Sequence, residues 1–178
     1  VFLFQALLSL MQYSASTEAL QQIVFWTMGS LQRANWMSNL IIAVTLLVAI
    51  PFTMLNAWKL TALRLGDERA AALGINVQKL RVLTLVVASL LAASAVAFAG
   101  IIGFIGLVGP HVARLLVGED QRFFAPASMA AGAMLLAGAH AGSITIIPGV
   151  AVPIGIITAL VGVPFFVLLI FTKRRIKC

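Results

Sequence analysis

Val82-Leu83-Thr84-Leu85-Val86-Val87-Ala88-Ser89-Leu90-Leu91-Ala92-Ala93-Ser94-Ala95-Val96-Ala97-Phe98-Ala99 is the stretch that decides the fold. It carries no charge and no proline, and Lys79 and Arg81 stand just ahead of it. At about 1.5 Å per residue a helix of this length crosses most of a bilayer core, whereas a membrane-barrel strand alternates apolar and polar over about 10 residues. Five further apolar runs flank it: Val1–Tyr13, Met37–Leu55, Ile101–Leu116, Ala125–Ile147 and Ile154–Phe171. The pattern predicts an all-α, polytopic transmembrane helical bundle with about six membrane segments. Pro51 inside the second run is tolerable there, because neighbouring groups in a membrane helix satisfy the freed carbonyl. The first run is too short to span and lacks the basic start and small-residue cleavage pattern of a signal peptide. It reads as the tail of a spanning helix, with residues 1–178 a single transmembrane domain and the C-terminal half of a longer protein.

Composition agrees. The chain is 62% hydrophobic and 10% charged. A soluble domain needs a more polar outer face, while lipid solvates apolar side chains all round a helix. The net charge of +7 is not laid out as a basic stripe with interleaved aromatics, so it does not point to nucleic acid. Cys178 is the lone cysteine, which leaves no disulfide framework or cysteine-based metal site within the chain.

The basic residues sort by connection. Lys59, Arg64, Arg69, Lys79 and Arg81 fall in one connection, Arg114 and Arg122 in a second, and Lys173, Arg174, Arg175 and Lys177 in the tail. The alternate connections hold Arg33 alone. The positive-inside rule puts the rich side, including the C-terminus, in the cytoplasm.

On the outer side, Ser16 or Thr17 is placed to cap a short amphipathic helix carrying Leu20, Ile23, Val24 and Trp26, with Tyr13, Trp26 and Trp36 suited to the interfacial belt. On the inner side, residues 56–81 hold the most polar internal stretch. Asp67 is placed to cap a short helix with Glu68 at its positive end, and Gly74 to end it in a left-handed conformation. Asn76 is placed to cap a second short helix leading to Lys79 and Arg81. Two small helices split by a glycine make a knob fit to dock on a soluble partner; a solvated connection that only sets topology explains the pattern equally well.

Gly100, Gly103, Gly106 and Gly109 recur every third residue and allow close backbone approach. No Gly-Lys-Ser/Thr follows them, so they are not a phosphate loop. Pro110, His111 and Arg114 lie where that segment nears the cytoplasm; a single histidine there is first a hydrogen-bonding group and second a gating candidate. Gly138 and Gly142 form a small-xxx-small pair, with His140 between them near the outer end. Neither a nucleophile–base pair nor a metal motif is visible, and no cofactor is called for.

Four stretches in order, Phe25–Leu31, Leu65–Gly74, Gly103–Arg114 and Pro153–Phe166, resemble the membrane permease family of ATP-binding-cassette importers for iron–siderophores, haem and cobalamin. They match the C-terminal half of a typical member. The resemblance implies a permease dimer around a central path, an ATPase subunit resting on the loop around Glu68 and Gly74, and a substrate-binding protein on the outer face. ATPase-coupling residues would then be Asp67, Glu68, Arg69, Ala71, Gly74 and Asn76. Packing and pathway residues would be Gly103, Gly106, Pro110, His111, Arg114, Gly138, His140 and Gly142. Two departures stand out: Ala139-His140 with Ile144 replaces the family's Ala-Asp and arginine, and Ala151-Val152-Pro153 replaces Glu-Leu-Pro. The competing readings are a truncated remnant of such a permease and a self-contained channel or carrier. The second of these would need pore-lining charge rings or inverted repeats, which the sequence does not show.

Overall fold

The computed structural model describes the backbone of residues 1–147 and 152–175, and in the last helix the side chains other than those of 168–170 and 172–175. The regular structure of the described residues is all helix, in nine elements: α1 Phe2–Ser14, α2 Thr17–Thr27, α3 Trp36–Leu55, α4 Ala57–Leu63, α5 Asp67–Ala72, α6 Val77–Ala99, α7 Ile105–Val117, α8 Gln121–Thr145 and α9 Ile154–Arg175. Ala151, Lys177 and Cys178 lie outside the described residues, as do the side chains of Lys173, Arg174 and Arg175.

Three helices, α3, α6 and α8, have 20, 23 and 25 residues. At about 1.5 Å per residue each is long enough for a bilayer core of about 30 Å. Their most apolar windows are 11%, 0% and 0% buried. Helices this apolar, with so little of their surface covered by protein, need lipid or further protein around them. Shorter apolar helices, α7 and the α9 stretch Ile154–Val167, lie beside them.

Local signals start four of the helices. Ser16 caps α2 by accepting from Ala19 N, and Asn35 caps α3 by accepting from Ser38 N at 2.8 Å. Asn76 Oδ1 accepts from Lys79 N at 2.9 Å and Asp120 Oδ1 from Arg122 N at 3.0 Å. Each satisfies one of the orphan amides of a helix start. The third span therefore begins at Val77, five residues before its apolar run: Asn76 caps the long α6 itself, and the expected second short helix is its first turns. The fourth run also differs. Gly100 (φ 75) stops α6, and α7 begins only after Phe104, whose φ is 66. α3 continues through Pro51.

The packing forms two groups. Between α3 and α6, Thr45 Oγ1 and Ser94 Oγ lie 3.3 Å apart. The helices α7, α8 and α9 pack together. At one end α4 joins the groups, with Gln121 N donating to Thr61 Oγ1 at 3.1 Å and Arg64 meeting Glu119. At the other end, α2 and the Met28–Ser30 turn bind the end of α6 and the start of α9. Lys59, Arg64, Arg69, Lys79, Arg81, Arg114 and Arg122 thus gather at one end of the bundle, and Arg33 lies at the other.

Candidate functional site: a polar knob and two glycine junctions

The knob is built by α4, α5 and the start of α6. Ala70, fully buried, packs with Ala62, Ile75 and Leu80, and Leu60, Leu63 and Val77 lean on this cluster. Gly66 (φ 104) and Gly74 (φ 79) turn the chain before and after α5, in a region that disfavours side chains. The two short helices are therefore α4 and α5, divided at Gly66 rather than at Gly74. Gly74 does take the left-handed conformation that ends α5. Asp67 is not the cap: Gly66 holds that position without a side-chain bond. The Asp67 carboxylate instead accepts from Arg81 Nη2 at 3.0 and 3.2 Å, tying α5 to α6. The neighbouring Glu68 occupies the favourable first turn. Glu68, Arg69, Ala71, Gly74 and Asn76 are exposed. Leu65 and Leu73 stand 57% and 59% exposed beside them. Apolar side chains next to charges on a small rigid projection make a surface suited to another protein.

Beside the knob, Arg64 donates to the Glu119 carboxylate at 2.7 Å and to its backbone carbonyl at 3.2 Å, and Arg114 Nε approaches the same carboxylate at 3.4 Å. The hydrogen bond from Arg64 holds the Glu119 carboxyl below the usual carboxylate range; partial burial opposes this, and the charges of Arg64 and Arg114 add to it. A depressed folded pKa contributes stability above the unfolded value near 4.5, and loses it as pH falls through the folded value. The α4–α8 clasp is therefore expected to weaken below pH 4.5. Thermal unfolding in detergent between pH 7 and pH 3 checks this: Glu119→Gln should have a shallower acid decline than the parent, and equal slopes would count against the clasp.

The junction opposite is made by backbone. Ser30 N donates to Ala99 O at 2.9 Å, Ile154 N to Gly29 O at 3.2 Å and Gly155 N to Met28 O at 3.0 Å. Trp26 Nε1 reaches Ala97 O at 3.4 Å, so this indole ties α2 to α6, while Tyr13 and Trp36 are 91% and 90% exposed. A Cβ at Gly100 would strike Trp26 O, and one at Gly155 would strike Met28 O. Lower down, a Cβ at Gly162 would strike the Phe104 side chain, and one at Gly109 would come within 3.2 Å of Gly132 Cα.

This places the sequence-predicted packing residues. Gly109 makes a close helix contact, but Gly103 and Gly106 face open space. Gly103 lines an apolar cavity of about 690 Å³ with Met28, Ile101, Gly155 and Leu160. Gly138 also faces open space, lining a cavity of about 260 Å³ between α7, α8 and α9, while Gly142 makes only ordinary contact with Ile157. The 138/142 pair is thus not the tight crossing its spacing predicts; Gly109 against Gly132 is. His111 meets the Phe165 ring edge-on at 5.9 Å, with Pro110 beside it inside α7. Arg114 lies over the Phe124 ring. His140 is half-buried, and its Nδ1 has no hydrogen-bond partner among the described residues. Near it Ser143 Oγ donates to Val152 O, closing the entry to α9. Gly29, Gly155, Gly162 and Phe104 were not singled out by spacing. Their signal was the glycine-rich composition of stretches whose contacts are distant in sequence.

Comparison with known proteins gives one answer. The hemin transport system permease protein HmuU of Yersinia pestis is 37% identical over 96% of this chain and 51% of its own length. The molybdate import system permease protein MolB of Haemophilus influenzae is 39% identical over 97% of this chain and 51% of its own. A solved structure, described as a metal-chelate type ABC transporter in an inward-facing conformation, superposes with a TM-score of 0.89 at 37% identity, covering 96% of this chain and 55% of that one. The chain spans about half the length of the curated relatives it matches. With residues 1–172 matching the family model over the same helices, the chain belongs to the FecCD transport family, the multi-pass membrane permeases of ABC transporters.

Proposed function

We propose that this chain works within the permease of an ABC importer that carries an iron–siderophore or related metal chelate across the cytoplasmic membrane, driven by a separate ATPase subunit. Residues 1–178 form one transmembrane domain, and residues 56–81 are its cytoplasmic coupling loop. Such a permease pairs with a second permease subunit and receives substrate from a binding protein on the face of Arg33. The C-terminus is cytoplasmic. Gly103, Gly106, Gly138 and Gly142 line or border the packing between the pathway helices, and Pro110, His111, Arg114 and His140 are their polar and bending residues.

The observation that carries this reading is the knob. It projects from the basic end, its backbone is fixed by two left-handed glycines and an Asp67–Arg81 ion pair, and it exposes Glu68, Arg69, Ala71, Leu73, Gly74 and Asn76. A rigid projection transmits movement from a partner without first having to order itself. Glu68→Lys reverses charge at the proposed contact. Gly74→Pro breaks the turn, because proline cannot adopt the φ of 79 that Gly74 holds. Each is expected to cost about 2 kcal/mol, roughly 30-fold in ATPase association. Co-purification of the ATPase with the full-length permease reads this, and unchanged association and transport would sink the assignment. Uptake of labelled iron–siderophores, haem, cobalamin and molybdate then identifies the substrate.

A further inference from the structure

The two lysines of the coupling loop, the half-buried Lys59 and the exposed Lys79, are not used by the knob. They line one cavity of about 350 Å³ between α4 and the start of α6, together with Trp58, Asn76, Leu80 and Leu83. This volume falls within the range of small-molecule sites, roughly 300–1,000 Å³. No carboxylate lines it. Lys59 Nζ donates to Asn56 Oδ1 at 3.3 Å, and neither lysine has an ion-pair partner among the described residues. An ammonium carries three donors, so both lysines retain capacity for an anion.

The depth of the cavity selects among anions. Lys79 sits in the first turn of α6, and the uncharged run Val82–Ala99 starts three residues later. The floor passes from Leu80, buried, to Leu83, 42% exposed. One and two turns further along α6, Val86 and Leu90 are 50% and 58% exposed, at helical spacing from Leu83. The cationic mouth therefore opens directly onto an apolar stripe. Trp58, 44% exposed, has the amphipathic ring that settles at the headgroup level. A free phosphate would use the lysines and ignore the stripe; an ATPase side chain would have no use for an apolar track running away from the cytoplasm.

We infer that Lys59 and Lys79 clamp the phosphate headgroup of an anionic phospholipid of the cytoplasmic leaflet, with its acyl chains lying along Leu83, Val86 and Leu90. This rests on the reading that the basic end is cytoplasmic. A headgroup there bridges α4 and α6, the two elements that carry the knob on either side.

The test uses the full-length permease in mild detergent, titrated with phosphatidylglycerol, phosphatidylcholine or inorganic phosphate and read by native mass spectrometry and thermal shift. Phosphatidylglycerol should be retained in preference to phosphatidylcholine. Each lysine near an anionic surface contributes about five-fold, so Lys59→Gln with Lys79→Gln should weaken phosphatidylglycerol binding by roughly 30-fold. The double arginine variant should keep it, and Arg122→Gln should not change it. Equal retention of the two lipids, unchanged binding in the double glutamine variant, or equal stabilisation by inorganic phosphate alone would each overturn the site. Loss of ATPase co-purification with unchanged lipid preference would also overturn it, assigning the lysines to the ATPase contact and leaving the coupling reading intact. Labelling of Arg122→Cys from outside intact cells by an impermeant thiol reagent would instead overturn the orientation on which both readings depend.

Discussion

Gly100→Ala is expected to remove most folded protein, and the reason is local. Gly100 ends α6 at φ 75 and ψ −166, a backbone region open in practice only to glycine. Holding an alanine there costs on the order of 1–3 kcal/mol. The added methyl would also strike Trp26 O and lie 3.0 Å from Gly29 Cα and 3.3 Å from Gly29 N. These are backbone atoms of the turn that also receives the start of α9, so no side chain can swing away. Overpacking against fixed atoms costs about 1–3 kcal/mol or more. The sum, roughly 2–6 kcal/mol, is a large share of the 5–15 kcal/mol that holds a typical domain together. Gly103→Ala is the matched control: three residues away, its methyl meets nothing within 4 Å, and a change within about 0.5 kcal/mol is expected. Yield from detergent extraction and the thermal midpoint check both. Equal behaviour of the two variants would mean that the three-way junction of α2, α6 and α9 is not as drawn.

That contrast also shows what a sequence can and cannot disclose. Gly100, Gly103, Gly106 and Gly109 are equivalent by spacing, yet two of them seal contacts and two face open space. The difference depends on which backbone lies opposite, and Trp26, Gly29 and Gly132 are far away in the chain. Apolar length, by contrast, is written locally, so the spans, the basic end and the caps at Ser16 and Asn76 could be read directly. The knob was legible in place but not in construction. Asp67 carries a good capping side chain, but Arg81, fourteen positions on, offers its carboxylate a charged partner, and Gly66 takes over the turn. Phe104 was illegible for the same reason. A phenylalanine at φ 66 is disfavoured on its own, and the Gly162 surface its side chain packs on lies far along the chain.

The crossing of α7 and α8 gives the other large effect, with an asymmetry built in. The Cβ that Gly109 lacks points at the partner helix, 3.2 Å from both Cα and N of Gly132. The Cβ that Gly132 lacks points elsewhere, meeting Ile105 Cγ2 at 3.7 Å, which is ordinary contact. Gly132→Ala therefore gains the better helix propensity of alanine, up to about 1 kcal/mol, with no clash to offset it. Gly109→Ala gains the same propensity but forces the helices apart, and Gly109→Leu forces them apart by a whole side chain, for about 3 kcal/mol or more of destabilisation. Because membrane helices associate by packing rather than by hydrophobic exclusion, a lost close approach is not recovered by burying the new leucine elsewhere. Unfolding in detergent should rank the variants Gly132→Ala at or above the parent, Gly109→Ala below it and Gly109→Leu far below. The reverse order for the two alanine variants would mean that the helices cross with the other glycine facing the contact, and the register of α7 on α8 would have to be redrawn.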